Sequence, residues 1–297
     1  MHKLIIFLFI LTLLFSCTKE VDLDIPELPQ KVVVNSLFCP DSAIKVHVSL
    51  STQIKNPNIN YVENASCFLY ENDLLIKTFG TQINGYYNSF YNPKAGKKYK
   101  IEVVVPGFEK VWAETSIPFL PDSLSGIYYK DGVQTDAETL NTSLEISFID
   151  DQNVPNYYEP MLNPFRFQDS KQTDQSILSD SELEFEPLTF YFSDLLFNGL
   201  KKKLVINGAG KLVYSFNGTI FFDEFYFHEF KIVSQEYYNF RKSWTKHLYN
   251  QNSDAHYDDP LTLLFLGDPI EMYSNVTNGY GIFAGYNRQA VTITYVE

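Results

Sequence analysis

Ile44, Val46, Val48 and Leu50 alternate with Lys45, His47 and Ser49, and that period of two constrains the fold more than any other feature. Alternation of this kind puts one side of a strand on a core and the other in water. Similar short segments recur at 32–38, 65–70, 74–79, 86–91, 99–105 and 111–116. Turn residues separate them: Cys39-Pro40-Asp41, Asn56-Pro57-Asn58, Glu71-Asn72-Asp73, Pro93-Lys94-Ala95-Gly96 and Pro106-Gly107. Seven short strands with turns between them predict an immunoglobulin-like β-sandwich over 31–118. The Cys…Trp…Cys spacing of antibody domains is absent. His47 falls on the polar side of its strand and reads as a surface residue rather than a metal ligand.

Two prolines in Ile117-Pro118-Phe119-Leu120-Pro121-Asp122 bar helix and ladder alike, so the reading places a domain junction there. Residues 119–297 are expected to form a second β-rich, sandwich-like domain. Leu144, Ile146 and Phe148 alternate with Glu145 and Ser147. Residues 157–167 carry two prolines and read as an edge or bulged strand. Residues 168–186 read as a long polar loop. Short strands are expected at 188–192, 204–206 and 212–216, with Asn207-Gly208-Ala209-Gly210 as a hairpin turn. The aromatic stretch 221–227 reads as part of one long central strand. One helix is expected from Gln235 to about Asn250. Ser234 caps it and Glu236 sits in its first turn. Tyr237, Phe240, Trp244 and Leu248 form its apolar stripe, with Arg241, Lys242 and Lys246 on the other side.

The amino terminus carries an address. Lys3 precedes an apolar run over 4–15 broken only by Thr12, and Ser16-Cys17 follows. A secretory signal has a basic start, an apolar stretch of about 7–15 residues and small residues at the cut. The run is too short for a transmembrane helix, which needs roughly 20 apolar residues. Leu14-Phe15-Ser16-Cys17 resembles the lipobox of exported lipoproteins, with Phe15 bulkier than the usual residue. On that reading 1–16 are removed and Cys17 carries lipid; a plain secretory signal with Cys17 as an ordinary thiol is the alternative. Residues 17–30, with Asp22, Asp24, Pro26, Glu27 and Pro29, then form an acidic tether. Its early acidic residues look like the export tag of surface lipoproteins, or serve as a solvated spacer.

Charge narrows the partners. The 297-residue chain has 23 Lys+Arg against 36 Asp+Glu, a formal net charge of −13. Such a balance repels phosphate backbones, so nucleic acid is not an expected partner. Tyr (21) and Phe (25) are abundant, which suits both pleated cores and binding faces. An exported protein permits a Cys39–Cys67 disulfide, and two buried free thiols are the alternative.

Catalytic signals are weak. There is no G-x-S-x-G elbow, and Asn207-Gly208-Ala209-Gly210-Lys211-Leu212 lacks the spacing and hydroxyl of a phosphate loop. His247 and His256 with Asp258-Asp259 match no metal-ligand spacing. Asp223-Glu224 and Asp258-Asp259 are the acid pairs a glycoside hydrolase would need. No catalytic, metal or cofactor residue is therefore assigned.

The run Asn275-Val276-Thr277-Asn278-Gly279-Tyr280-Gly281-Ile282-Phe283 is the most distinctive in the chain. Asn278-Gly279 reads as a turn, and Gly281 and Gly285 leave room for another backbone or a ring. Together with the lipobox, the strand at 32–37 and the Ser-x-Glu-Tyr-Tyr segment at 234–238, this run resembles an uncharacterised lipoprotein family, domain of unknown function 4249. The resemblance spans the mature chain. It implies a non-enzymatic outer-membrane lipoprotein, anchored by lipid at the cell surface, that acts as accessory or ligand-capture partner of a TonB-dependent nutrient receptor barrel. A surface adhesin or matrix-binding module, and a secreted glycan or peptide hydrolase, are the alternative expectations.

Overall fold

A computed structural model describes residues 28–53, 56–81, 83–134, 140–163, 177–178, 191–207, 211–216, 219–224, 227–251 and 270–296. The first unit contributes β1 (Val32–Phe38), β2 (Lys45–Leu50), β3 (Asn60–Tyr61), β4 (Ser66–Glu71), β5 (Leu74–Thr78), β6 (Gly80–Thr81), β7 (Tyr86–Asn88), β8 (Lys98–Val104) and β9 (Val111–Ser116). Then come β10 (Asp122–Gln134), β11 (Leu140–Ile149), β12 (Tyr157–Asn163), β13 (Ile177–Leu178), β14 (Phe192–Ser193) and β15 (Lys201–Asn207). The chain continues with β16 (Lys211–Phe216), β17 (Thr219–Glu224), β18 (Phe227–Val233), α1 (Gln235–Gln251), β19 (Tyr280–Ala290) and β20 (Ile293–Val296). The fold is mainly β and sandwich-like, and α1 is the one α-helix among the described residues.

A nine-stranded sheet organises the molecule, in the order β14-β12-β18-β19-β1-β2-β7-β6 with β3 also on β2. Its inner face is backed twice. Val34, Val46, Val48, Tyr87 and Phe283 pack against Leu69, Tyr99, Ile101, Val103 and Ala113 of the four-stranded sheet β5-β4-β8-β9. Further along, Tyr158, Phe230 and Ile232 pack against Leu144, Ile146, Phe148 and Leu204 of the five-stranded sheet β13-β15-β11-β10-β20. The alternation read in 44–50 appears directly: Val46 and Val48 are buried, and Lys45 and His47 face outward.

Several expectations change. The chain end crosses the expected division at 118/119, because β19 runs parallel to β1 with Val34 opposite Gly281 and Ser36 opposite Phe283. Local alternation carries no information about such a distant neighbour. The long central strand through the 220s is two strands: β18 lies centrally between β12 and β19, while β17 pairs with β16 in a ribbon. β15 pairs with β11 and β13, and Gly208-Ala209-Gly210 of the expected turn lie outside the described residues. β16 instead pairs with β17, with Phe216 opposite Thr219. Pro160 does sit at a strand margin: β14 reaches only Tyr157 and Tyr158, which leaves Pro160 a described neighbour on one side. Residues 1–27, most of 168–186, His256 and Asp258-Asp259 lie outside the described residues.

Candidate functional site

The distinctive late run turns out to be a joint. Asn275 Nδ2 donates to the carbonyls of Glu114 (3.0 Å) and Phe283 (2.8 Å), and its Oδ1 accepts from Phe283 N–H at 3.0 Å. Asn278 takes the left-handed φ of 62° that a turn needs and donates to Glu109 Oε1 at 2.8 Å. Gly281 has φ 113°, and a Cβ there would stand 2.1 Å from the Val34 carbonyl oxygen. At Gly285 a Cβ would meet the Ser116 carbonyl at 2.6 Å. Both glycines therefore permit close backbone approach, and the run seals β19 between β1 and β9.

On the outer face the sheet is covered over β12, β18 and β19. Ser234 Oγ accepts Tyr237 N–H at 3.2 Å, capping α1. Glu236 accepts the Thr115 hydroxyl at 2.8 Å. Tyr237 and Tyr238 pack on Val233, Ile282 and Ala284. Beneath them lies Glu159, whose side chain is only 4% exposed. It accepts from Tyr237 Oη (2.8 Å), Lys231 Nζ (3.4 Å) and Arg241 (3.1 Å). Burial first, and then the Glu159 carboxylate, hold the Tyr237 phenol proton far above the usual tyrosine range. Arg241 thus points inward, not to the polar side expected for it: its long stem lets the guanidinium reach Glu159 while stacking on Tyr191 and Trp244, each 4.8 Å away. Arg288 continues the network, bonding Asp41 at 2.6 Å and Glu229 at 2.7 Å.

Over β1, β2, β3 and β7 the same face has no described element on it. His47 pairs with Tyr86 across β2/β7, and Ser49 pairs with Tyr61 across β2/β3. The His47 ring lies 4.7 Å from that of Tyr86 and 5.6 Å from that of Tyr61. Tyr61 is 47% exposed and Tyr86 48%, with Ile59 (55%) and Ile83 (77%) in the adjoining loops. Asn35, opposite His47, and Leu37 extend the face onto β1. Burial pushes the His47 pKa below its ordinary value, against a backbone hydrogen bond involving Asn84 that raises it. Apolar surface of this kind makes this half of the face the candidate site. Sequence reading had passed over it, because Tyr61 and Tyr86 come from a two-residue and a three-residue strand that only meet through β2.

The other candidates fall elsewhere. Cys39 and Cys67 are free and buried, so the disulfide alternative is not what this structure holds. Cys39 Sγ lies 3.9 Å from Asp41 Oδ2, and burial pushes the Cys67 thiol up to about 12. Cys67 sits in β4 and Cys39 follows β1, in different sheets. Asp223 and Glu224 lie at the end of β17, opposite Leu212 and Lys211. His228 is in β18 opposite Leu162, and His247 Nδ1 contacts the Ile270 carbonyl at 3.1 Å. Among the described residues, no three of His, Cys, Asp and Glu gather as a metal group. The buried carboxylate of Asp150 is structural: Tyr158 Oη donates to it, and its other oxygen takes Gly199 N–H at 2.6 Å. A cleft of about 550 Å³ opens beside 116–121 and the start of α1, lined among others by Lys97, Phe119, Val154 and Gln235.

No curated protein matches the chain. A family model matches residues 18–291, nearly the whole chain that follows Cys17. The chain belongs to that family, described as Domain of unknown function (DUF4249).

Proposed function

We propose that this chain is a lipid-anchored cell-surface protein, held by Cys17, that captures a ligand as accessory partner of a TonB-dependent import barrel and performs no chemistry itself. The observation that carries the reading is the ring-bearing half of the sheet's outer face that no described element covers. Its rings and aliphatic side chains stand in water, where covering them is favourable at about 25 cal/mol per Å² of apolar area. The buried carboxylates Glu159 and Asp150, by contrast, are held by cations, phenols and a backbone N–H, an arrangement that builds a scaffold rather than a reactive site. The lipobox supplies the location, and the acidic tether supplies the reach: extended chain rises about 3 Å per residue.

The test is affinity purification of the full chain from detergent-solubilised outer membrane. A large barrel protein is expected to co-purify with the wild type. Reproducible recovery of the lipoprotein alone overturns the accessory role. Cys17→Ala is expected to release the protein from the membrane fraction, and continued pelleting of that variant overturns the anchor.

A further inference from the structure

We infer that the face formed by His47, Tyr61 and Tyr86 binds a saccharide chain by stacking its sugar rings on the two tyrosines. This deepens the ligand-capture reading and rests on it for its setting. The two outer faces of the first sandwich differ. The outer face of β4, β8 and β9 also carries aromatic rings, but they are occupied. Lys100 Nζ stands 5.5 Å from the Tyr70 ring and 5.3 Å from the Trp112 ring, so its cation already uses their electron-rich faces. That lysine is itself tied to Glu102 at 2.8 Å, and Lys98 is tied to Glu114 at 2.5 Å.

Tyr61 and Tyr86 have no such cation over them among the described residues. Their only ring partner described is His47, itself held toward the neutral form by burial. The faces of π-systems are negative and attract the polarised C–H groups that line a sugar ring. Polar groups on or beside this face include the amide of Asn35, opposite His47, the hydroxyl of Ser49, opposite Tyr61, and the Lys45 ammonium, with Asn58, Asn60 and Asn84 in the flanking segments. An amide both donates and accepts, which matches hydroxyl groups that do the same. The outward positions on these rows hold Val33, Asn35, Leu37, Lys45, His47 and Ser49. No carboxylate is among them, although the chain as a whole carries −13. That charge pattern disfavours a basic peptide as occupant and accommodates a hydroxyl-rich chain.

The experiment uses the full chain in detergent with soluble polysaccharides as probes: a β-1,3-glucan, a β-1,4-glucan, a galactomannan and polygalacturonate. Affinity gel electrophoresis is expected to retard the wild type in at least one. Tyr61→Ala with Tyr86→Ala should weaken that binding about tenfold or more. Tyr61→Phe with Tyr86→Phe should retain most of it, because stacking needs the ring and not the hydroxyl. Tyr70→Ala should leave it unchanged. Retardation by none of the four probes, or retardation indifferent to loss of both rings, overturns the inference. So does loss of barrel co-purification in the double alanine variant without any saccharide binding, which makes the face a protein interface. Barrel co-purification by a wild type that ignores every polysaccharide overturns only this inference and leaves the accessory role standing.

Discussion

Over β12, β18 and β19 the outer face of the long sheet lies under α1, while over β1, β2 and β7 no described element covers it. The covered half is the more charged of the two. Glu159, Lys231 and Arg288 stand opposite one another across three strands, and Arg241 joins them from the helix. The bare half carries Tyr61, Tyr86 and flanking isoleucines. The usual distribution is the reverse, with apolar groups inside and charges outside. Each half is nonetheless consistent. Buried charges are tolerated where they are paired and hydrogen-bonded, and those under α1 are. Exposed rings gathered on one sheet face keep apolar area that a bound partner can still bury.

The two halves meet where β19 lies on β1, and the largest effect is expected there. Gly281→Val adds a Cβ at 2.1 Å from the Val34 carbonyl, at φ 113°, and forces a β-branched residue into a region nearly closed to it. Loss of about 3 kcal/mol or more is expected, seen as insoluble or unfolded protein. A variant that melts like the wild type would mean the parallel pairing does not hold the halves together.

Next is the covered half. Glu159→Gln leaves Lys231 and Arg241 without their anion, at a cost of about 3–5 kcal/mol. The denaturant midpoint should drop accordingly. Replacing Glu159, Lys231 and Arg241 together by Leu or Met should cost less than Glu159→Gln alone, since no unpaired charge is then buried. The reverse order would show that the network contributes net stability rather than specificity.

How much of this was legible beforehand differs between the halves for a physical reason. Strand alternation and helix capping are local: Val46 and Val48 inside, His47 outside, and Ser234 capping α1 could all be read from neighbours in sequence. The glycines of the 275–285 run could be recognised as close-approach positions, but not what approaches them. That β1 is the neighbour of β19, and that Arg241 turns inward to Glu159, depends on residues more than eighty positions apart. The bare face was hidden for the same reason. Tyr61 and Tyr86 sit in strands too short for a period to show, and β2 alone brings them together. The splitting of the 220s into β17 and β18 was missed because an aromatic run on both faces of a strand looks central whether or not it is continuous.

Smaller effects sharpen the contrast. Ser234→Ala removes the acceptor for Tyr237 N–H and should cost about 1 kcal/mol, measured by thermal or denaturant unfolding. On the bare half, Tyr61→Ala with Tyr86→Ala should change stability by no more than about 0.5 kcal/mol per site. A loss of about 2 kcal/mol or more at either tyrosine, well beyond that of Ser234→Ala, would mean that these rings are packing residues, and that the bare half is a core in another sense.

The smallest effect concerns His47. Burial disfavours its charged form and takes the pKa below the ordinary 6.5, and the backbone hydrogen bond involving Asn84 opposes this. The folded protein therefore holds a proton on His47 less readily than the unfolded chain does. Its contribution to stability is present above about pH 6.5 and is lost as pH falls through the lower folded value. An NMR titration of the His47 ring should give a midpoint below 6.5, and His47→Gln should remove the matching small loss of stability on acidification. A midpoint at or above 6.5 would mean that the Tyr61 and Tyr86 rings stabilise an imidazolium between them more than burial penalises it. In that case the bare half would be a cation-accepting surface, like the Lys100-capped face opposite, and the contrast on which saccharide stacking depends would disappear.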